Sequence, residues 1–184
     1  LVAAARPVPQ RATATGFIDA QPVPSYEQGF GFPVLDDALY FPGDRRLLRI
    51  VDVPLSQGLA ATQSATIRVN LRSGTPFRAV LVWTDPPGTA SASTAIPPRL
   101  VNDLDLRVVT PDGSPLLGNE RLHPGQADRL NNVEVVSIVN PAAGNHSVTV
   151  TVNRLGFNDR QSYALVITGD LAEEPLTRRR VARR

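Results

Sequence analysis

Six oxygen-bearing residues stand where apolar stretches of the chain end or begin. Asp85 closes Phe77-Arg-Ala-Val-Leu-Val-Trp-Thr-Asp85, Asn102, Asp103 and Asp105 lie in Leu100-Val-Asn-Asp-Leu-Asp-Leu106, and Asn132 and Glu134 open a third stretch. On an extended strand Asp103 and Asp105 project from one face about 7 Å apart, two residues of rise. Carboxylates so placed repel unless a cation lies near them. Calcium takes six to eight oxygens from carboxylates, amides and carbonyls, so Asp85, Asn102, Asp103, Asp105, Asn132 and Glu134 form a candidate metal site. The competing reading is a solvated strand face with Arg107 as counter-charge. Glu134 shares strand parity with Val136 and Ile138, a line expected to face inward, where a carboxylate needs a partner; the alternative is a strand end in solvent.

Hydrolytic chemistry has less to work with. A nucleophile needs a histidine base and an orienting acid, and the chain has only 2 His, at 123 and 146. His146 runs in phase with Val148, Val150 and Val152 and is expected to be a half-buried strand residue, while His123 sits in a Pro- and Gly-containing loop. The patterns G-x-S-x-G, H-E-x-x-H and the phosphate-binding loop do not occur in the sequence. The chain by itself is therefore expected not to be an enzyme, with no catalytic residue to assign. With 0 Cys, disulfides and thiolate metal sites are excluded.

The elements that must position the acidic residues are strands. Leu47 to Val51 is one candidate, and in Thr66 to Leu71 the residues Ile67, Val69 and Leu71 alternate with polar neighbours. Phe77, Ala79, Leu81 and Trp83 share a face, with Val80 and Val82 on the other, as expected of a strand buried on both sides. Leu104, Leu106 and Val108 oppose Asp103, Asp105 and Arg107. Pro111-Asp112-Gly113 is a turn, and further strands are expected at Asn132 to Val139, His146 to Asn153 and Tyr163 to Thr168. Roughly seven to nine strands separated by turns predict an all-β sandwich or barrel. Residues 1–44 lack such alternation, carry recurrent Pro, and hold one short helix-like piece, Val34 to Leu39.

Composition narrows the partners. The 184 residues are 42% hydrophobic and 20% charged, with 17 Pro and 13 Gly, a globular and turn-rich balance. The formal net charge of +2 is misleading: Arg178, Arg179, Arg180, Arg183 and Arg184 lie in the tail, leaving 14 basic against 17 acidic residues before them, 14 − 17 = −3. A mildly acidic body argues against nucleic acid as a partner. The apolar runs fall short of the ~20 residues of a helical membrane span, so no membrane partner is expected.

The motifs also occur in a familiar order. Leu81-Val-Trp-Thr-Asp-Pro-Pro87, Leu100-Val-Asn-Asp-Leu-Asp-Leu106, Pro111-Asp-Gly113 with Gly118-Asn119, Asn131-Asn-Val-Glu134, Asn140-Pro-Ala-Ala-Gly144 and Tyr163-Ala-Leu-Val166 together resemble the C-terminal β-barrel, a jelly-roll domain, of secreted bacterial subtilisin-like serine proteases of the alkaline-protease group. The resemblance spans about residues 26–170. Gln28-Gly-Phe-Gly31 with Val34-Leu-Asp-Asp-Ala-Leu39 looks like the end of the family's catalytic domain, whose triad would lie upstream. The lengthened loop at Ile96-Pro-Pro-Arg99 and the segment 120–130 depart from the family pattern, and no site residue is carried onto them.

The resemblance implies a connector and catalytic-domain remnant over 1–44 and a jelly-roll-like β-sandwich over 45–170; the run of like charge predicts a disordered Arg-rich tail over 171–184. It implies a secreted, extracellular accessory domain that binds calcium, stabilises the upstream protease domain as its partner, and helps hold protein substrate. The alternative is a free-standing carbohydrate- or protein-binding sandwich module.

Overall fold

The computed structural model describes residues 1–172 except 9, 14–15, 20–22, 26, 38, 42 and 91–99, with the backbone alone for 10–13 and 16–19. The Arg-rich tail, all but its first two residues, and the Ile96 to Arg99 insertion lie outside the described residues.

Eight strands build the body: β1 (Leu47–Val53), β2 (Ser64–Leu71), β3 (Phe77–Val82), β4 (Asn102–Val109), β5 (Pro115–Leu117), β6 (Val133–Ile138), β7 (Gly144–Leu155) and β8 (Tyr163–Gly169). They form two four-stranded antiparallel sheets, in the orders β5-β4-β7-β2 and β6-β3-β8-β1. An eight-stranded chain that alternates between sheets in this way is a jelly roll. The all-β sandwich expectation holds, as two facing sheets and not as one closed barrel.

Alternation explains the packing. On β7, His146, Val148 and Val150 are fully buried, while Ser147, Thr149 and Thr151 face partly outward. Val150 pairs with Leu106 on β4 and Ala65 on β2, so one inward residue recruits a neighbour from each side. From the other sheet, Phe77, Ala79, Leu81, Leu165 and Ile167 meet this layer. Each fully buried Leu, Ile, Val or Phe contributes roughly 1.5–3 kcal/mol. Val80 is also buried, as the two-sided reading of β3 expects. His146 is more enclosed than its half-buried expectation: it stacks on Phe77 at 5.9 Å and its Nδ1 lies 3.1 Å from the Gly144 carbonyl.

The described residues of 1–44 carry more strand pairing than the sequence suggests. Ala5–Arg6 pairs with Phe32–Pro33, Gln10–Thr13 pairs with Gly16–Asp19, and the helix-like piece is a single 3-10 turn, Leu35–Asp37. The segment is moored by charge more than by aromatic side chains. Arg78, on β3, donates from Nη1 to the carbonyls of Val2, Ala3 and Ala5 and from Nε to Ser137. Asp37 takes a two-pronged bond from Arg6 and another from Arg46. The Arg6 hydrogen bond and the two guanidinium charges hold the Asp37 carboxyl below its ordinary value against the opposing effect of burial.

Candidate functional site

Asp103 and Asp105 lie where β5 ends and leaves one side of β4 unpaired, its other side still bonded to β7. After Leu117 pairs with Arg107 the ladder stops. Gly118 still donates to the Leu106 carbonyl at 2.8 Å, and the N–H of Leu106 is taken by Oε2 of Glu134, at 2.6 Å, reaching across from β6. Glu134 is thus a bridge between the two sheets. Its inward parity is as the sequence predicts, and it is 1% exposed. Gly118 makes room for it: a Cβ there would lie 2.2 Å from Glu134 Oε2, which no side chain tolerates.

The exposed edge of β6 is closed in the same place by Asn119. Its backbone N–H donates to the Val135 carbonyl at 3.0 Å, and its Oδ1 accepts the Val135 N–H at 3.0 Å. Its Nδ2 donates to Val133 O and to Asp128 Oδ2, both at 2.7 Å. Asn119 holds a left-handed backbone, φ 53, a conformation that Asn adopts more readily than most residues. Asp128, fully buried, accepts the N–H groups of Leu130 and Asn131 and the side-chain amides of Asn119 and Asn131. His123 Nε2 lies 3.5 Å from it.

Asp128 fixes the turn that presents Arg129. From that turn one nitrogen, Nη1, reaches Oδ2 of Asp103 at 3.1 Å and Oδ1 of Asp105. Asp103 Oδ2 also accepts Asn153 Nδ2 at 2.8 Å. The counter-charge to the two β4 carboxylates is therefore Arg129; Arg107, the sequence-based candidate, is exposed. Asp103 Oδ1 and Glu134 Oε1 are buried without a hydrogen-bond partner.

Electrostatics reflect this crowding. Burial pushes Glu134 up to about 9; the Leu106 hydrogen bond opposes the rise, and the charges of Asp105, Asp128 and Asp103 add to it. Burial also raises Asp105 against the pull of Arg129. Burial opposes the charge on Arg129, but the Asp105 hydrogen bond and the Asp105 and Asp103 charges together hold its pKa above the ordinary value.

Of the six sequence-predicted ligands, Asp103 and Asp105 share Arg129, and Glu134, on the facing sheet, feels their charges. The other three are committed to the backbone. Asp85 accepts the N–H of Val101 at 2.8 Å and of Asn102 at 2.7 Å. The Asn102 side chain, fully buried, bonds Phe157 O, Gln161, and the N–H groups of Gly156 and Phe157. Asn132 Nδ2 donates to Trp83 O at 2.9 Å, next to a 3.2 Å bond from Trp83 N to Asn132 O that prolongs the β3 and β6 ladder. Among the described residues no three carboxylate or imidazole side chains are grouped so as to hold a metal ion. Calcium, which needs six to eight oxygens, does not fit this donor set while Arg129 lies between Asp103 and Asp105.

Sequence reasoning missed Asp128, Arg129 and Asn119. The signal lay in Asp128-Arg-Leu-Asn131, where a carboxylate two to three residues before free N–H groups can close a turn on itself. A scan against protein-family models finds no match for the chain, and a search of curated proteins finds none either.

Proposed function

We propose that this chain is the non-catalytic accessory sandwich of a secreted subtilisin-like serine endopeptidase, stabilising an upstream protease domain and helping to hold its protein substrate. The observation that carries the reading is that the motifs behind the resemblance act as one physical unit. Leu100 to Leu106, Gly118-Asn119 and Asn131 to Glu134 are distant in sequence and interlock through Glu134 and Asn119 at a single sheet seam.

The connector adds support. Phe32, Leu35, Leu39 and Phe41 are 45%, 66%, 50% and 63% exposed, four large apolar side chains within a short stretch on a segment moored to the sandwich. Concentrated exposed apolar surface marks contact with another protein body. The carbohydrate-module alternative draws less support, since Trp83, the only Trp, is 2% exposed and its Nε1 is spent on the Asn102 carbonyl at 3.0 Å. Calcium is implied by the resemblance alone, and no part of this reading passes through it.

The test is to express the chain alone and joined to the coding sequence that precedes it in its gene. The chain alone should neither cleave casein nor take up a serine-directed phosphonate, and the longer product should do both and lose heat resistance when this domain is deleted. Stoichiometric phosphonate labelling of the isolated chain would refute the reading.

A further inference from the structure

The outer face of the sheet that holds β6, β3 and β8 carries one polar row. Ser137, Arg78 and Thr168 stand opposite one another on these strands, so their side chains leave the sheet on the same side. They line a cavity of about 260 Å³ whose other charged residues, Arg6, Asp37 and Arg46, come from the connector and its junction with β1. We propose that this cavity is a carboxylate-binding site, which takes an acidic side chain or a chain terminus of another polypeptide.

Charge is the first argument. Three guanidiniums line the cavity, and among the described residues Asp37 is the one carboxylate that does. Arg6 engages both oxygens of Asp37, at 2.5 and 2.8 Å, and Arg46 adds Nη1 to the same group. Exposed Asp36 adds its charge on the Arg6 side. Arg78 has no carboxylate in contact: its Nη1 goes to three connector carbonyls and its Nε to the Ser137 hydroxyl. Burial pulls the Arg78 pKa below its ordinary value; the Asp37 charge opposes this, and those of Arg46 and Arg6 add to it. A second negative charge in the cavity relieves that crowding.

Unspent donors are the second argument. Nη2 of Arg78 and both Nε and Nη2 of Arg46 make no hydrogen bond among the described residues, and neither does the hydroxyl of Thr168, a residue 2% exposed. Forked guanidinium nitrogens match the two oxygens of a carboxylate. The rest of the lining decides what carries that carboxylate. Pro76 and Ile138 add apolar surface, which suits a carbon stem and offers nothing to a bare inorganic ion. Leu35, 66% exposed, shares the 3-10 turn of Asp37, so apolar surface of the kind that meets another protein belongs to the same turn as the site. The inference concerns this cavity and stands whether or not the domain belongs to a protease.

Titration of the purified, nitrogen-labelled chain by NMR, with thermal unfolding alongside, tests it. N-acetyl-leucine presents a chain-terminal carboxylate and N-acetyl-glutamate α-amide a side-chain one; inorganic phosphate and chloride are the controls at equal pH and ionic strength. At least one of the two carboxylates should shift the Nε signals of Arg46 and Arg78 saturably and raise Tm by a few degrees, because a ligand that binds only the folded state stabilises it by mass action. Which of them does so identifies the source. Phosphate and chloride should bind several-fold more weakly. Thr168→Val, which loses only the hydroxyl, should weaken binding several-fold, as should Arg46→Gln, whereas Arg49→Gln, the same charge change at an exposed position of β1, should bind like the wild type. Absence of a saturable shift with either carboxylate, phosphate binding as tightly, or equal losses in Arg46→Gln and Arg49→Gln would each overturn the proposal. Should Arg46→Gln not fold, Thr168→Val decides, and an unchanged affinity in that variant overturns it.

Discussion

Replacing Glu134 by Gln tests whether the bridge between the sheets is a neutral acid. Glu134 is 1% exposed, spends Oε2 on the Leu106 N–H at 2.6 Å, and has its pKa pushed from 4.5 to about 9. The folded protein then holds one more proton than the unfolded chain between those two values. Stability is therefore full below the unfolded value, falls as pH rises through the window, and levels off above the folded value. One proton gives a slope of at most about 1.4 kcal/mol per pH unit, so from about pH 5 to about pH 8 the wild type should lose up to roughly 4 kcal/mol to this group. Gln has the same shape, keeps an acceptor for Leu106, and cannot ionise. Glu134→Gln should match the wild type within about 1 kcal/mol at the acid end and exceed it by several kcal/mol at the alkaline end. Urea unfolding across pH, read through the fluorescence of buried Trp83, measures the difference, with the m-value constant if both unfold alike. Other titrations, including that of Asp105, are common to both proteins and largely cancel. Parallel stability curves, or a variant weaker at every pH, would refute the reasoning and show an ionised Glu134 whose charge the fold uses.

Two further outcomes follow from single contacts. Gly118→Ala should destabilise by about 1–3 kcal/mol in the same urea assay, the usual cost of overpacking, because the new Cβ lands 2.2 Å from Glu134 Oε2; a neutral result would mean the bridge can move. Arg78→Ala removes the donor shared by the Val2, Ala3 and Ala5 carbonyls. Amides 1–8 should then exchange hydrogen faster while those of β3 keep their protection, and unchanged exchange would show that the connector is held by something else.

Much of the fold was legible because strand period and burial are coupled locally. Alternation placed Leu104, Leu106 and Val108 inward and Asp103 and Asp105 together on the other side, and parity alone brought Glu134 inside. The connector was less legible. Ala5–Arg6 pairs with Phe32–Pro33 some way along the chain, and its mooring depends on Arg78 and Arg46, which lie outside the segment. Of the connector's large apolar side chains, Phe30 is half-buried while Phe32 and Leu39 stand exposed.

The site divides along the same line. From the residues alone came the strand order of acids, the shared face of Asp103 and Asp105, and the need for a counter-charge, since side-chain direction on a strand follows from position. Which cation answers that need was decided by the tertiary structure. Asp85 and Asn102 look like ligands until the fold presents them with unpaired N–H groups, and a backbone donor that burial leaves unsatisfied claims the nearest oxygen. Arg129 is 24 residues from Asp105 and becomes its neighbour only when the loop between β5 and β6 returns to the open edge of β4. Local periodicity is written in the sequence, whereas a contact between loops depends on where several strands end, and that is set only when the two sheets pack.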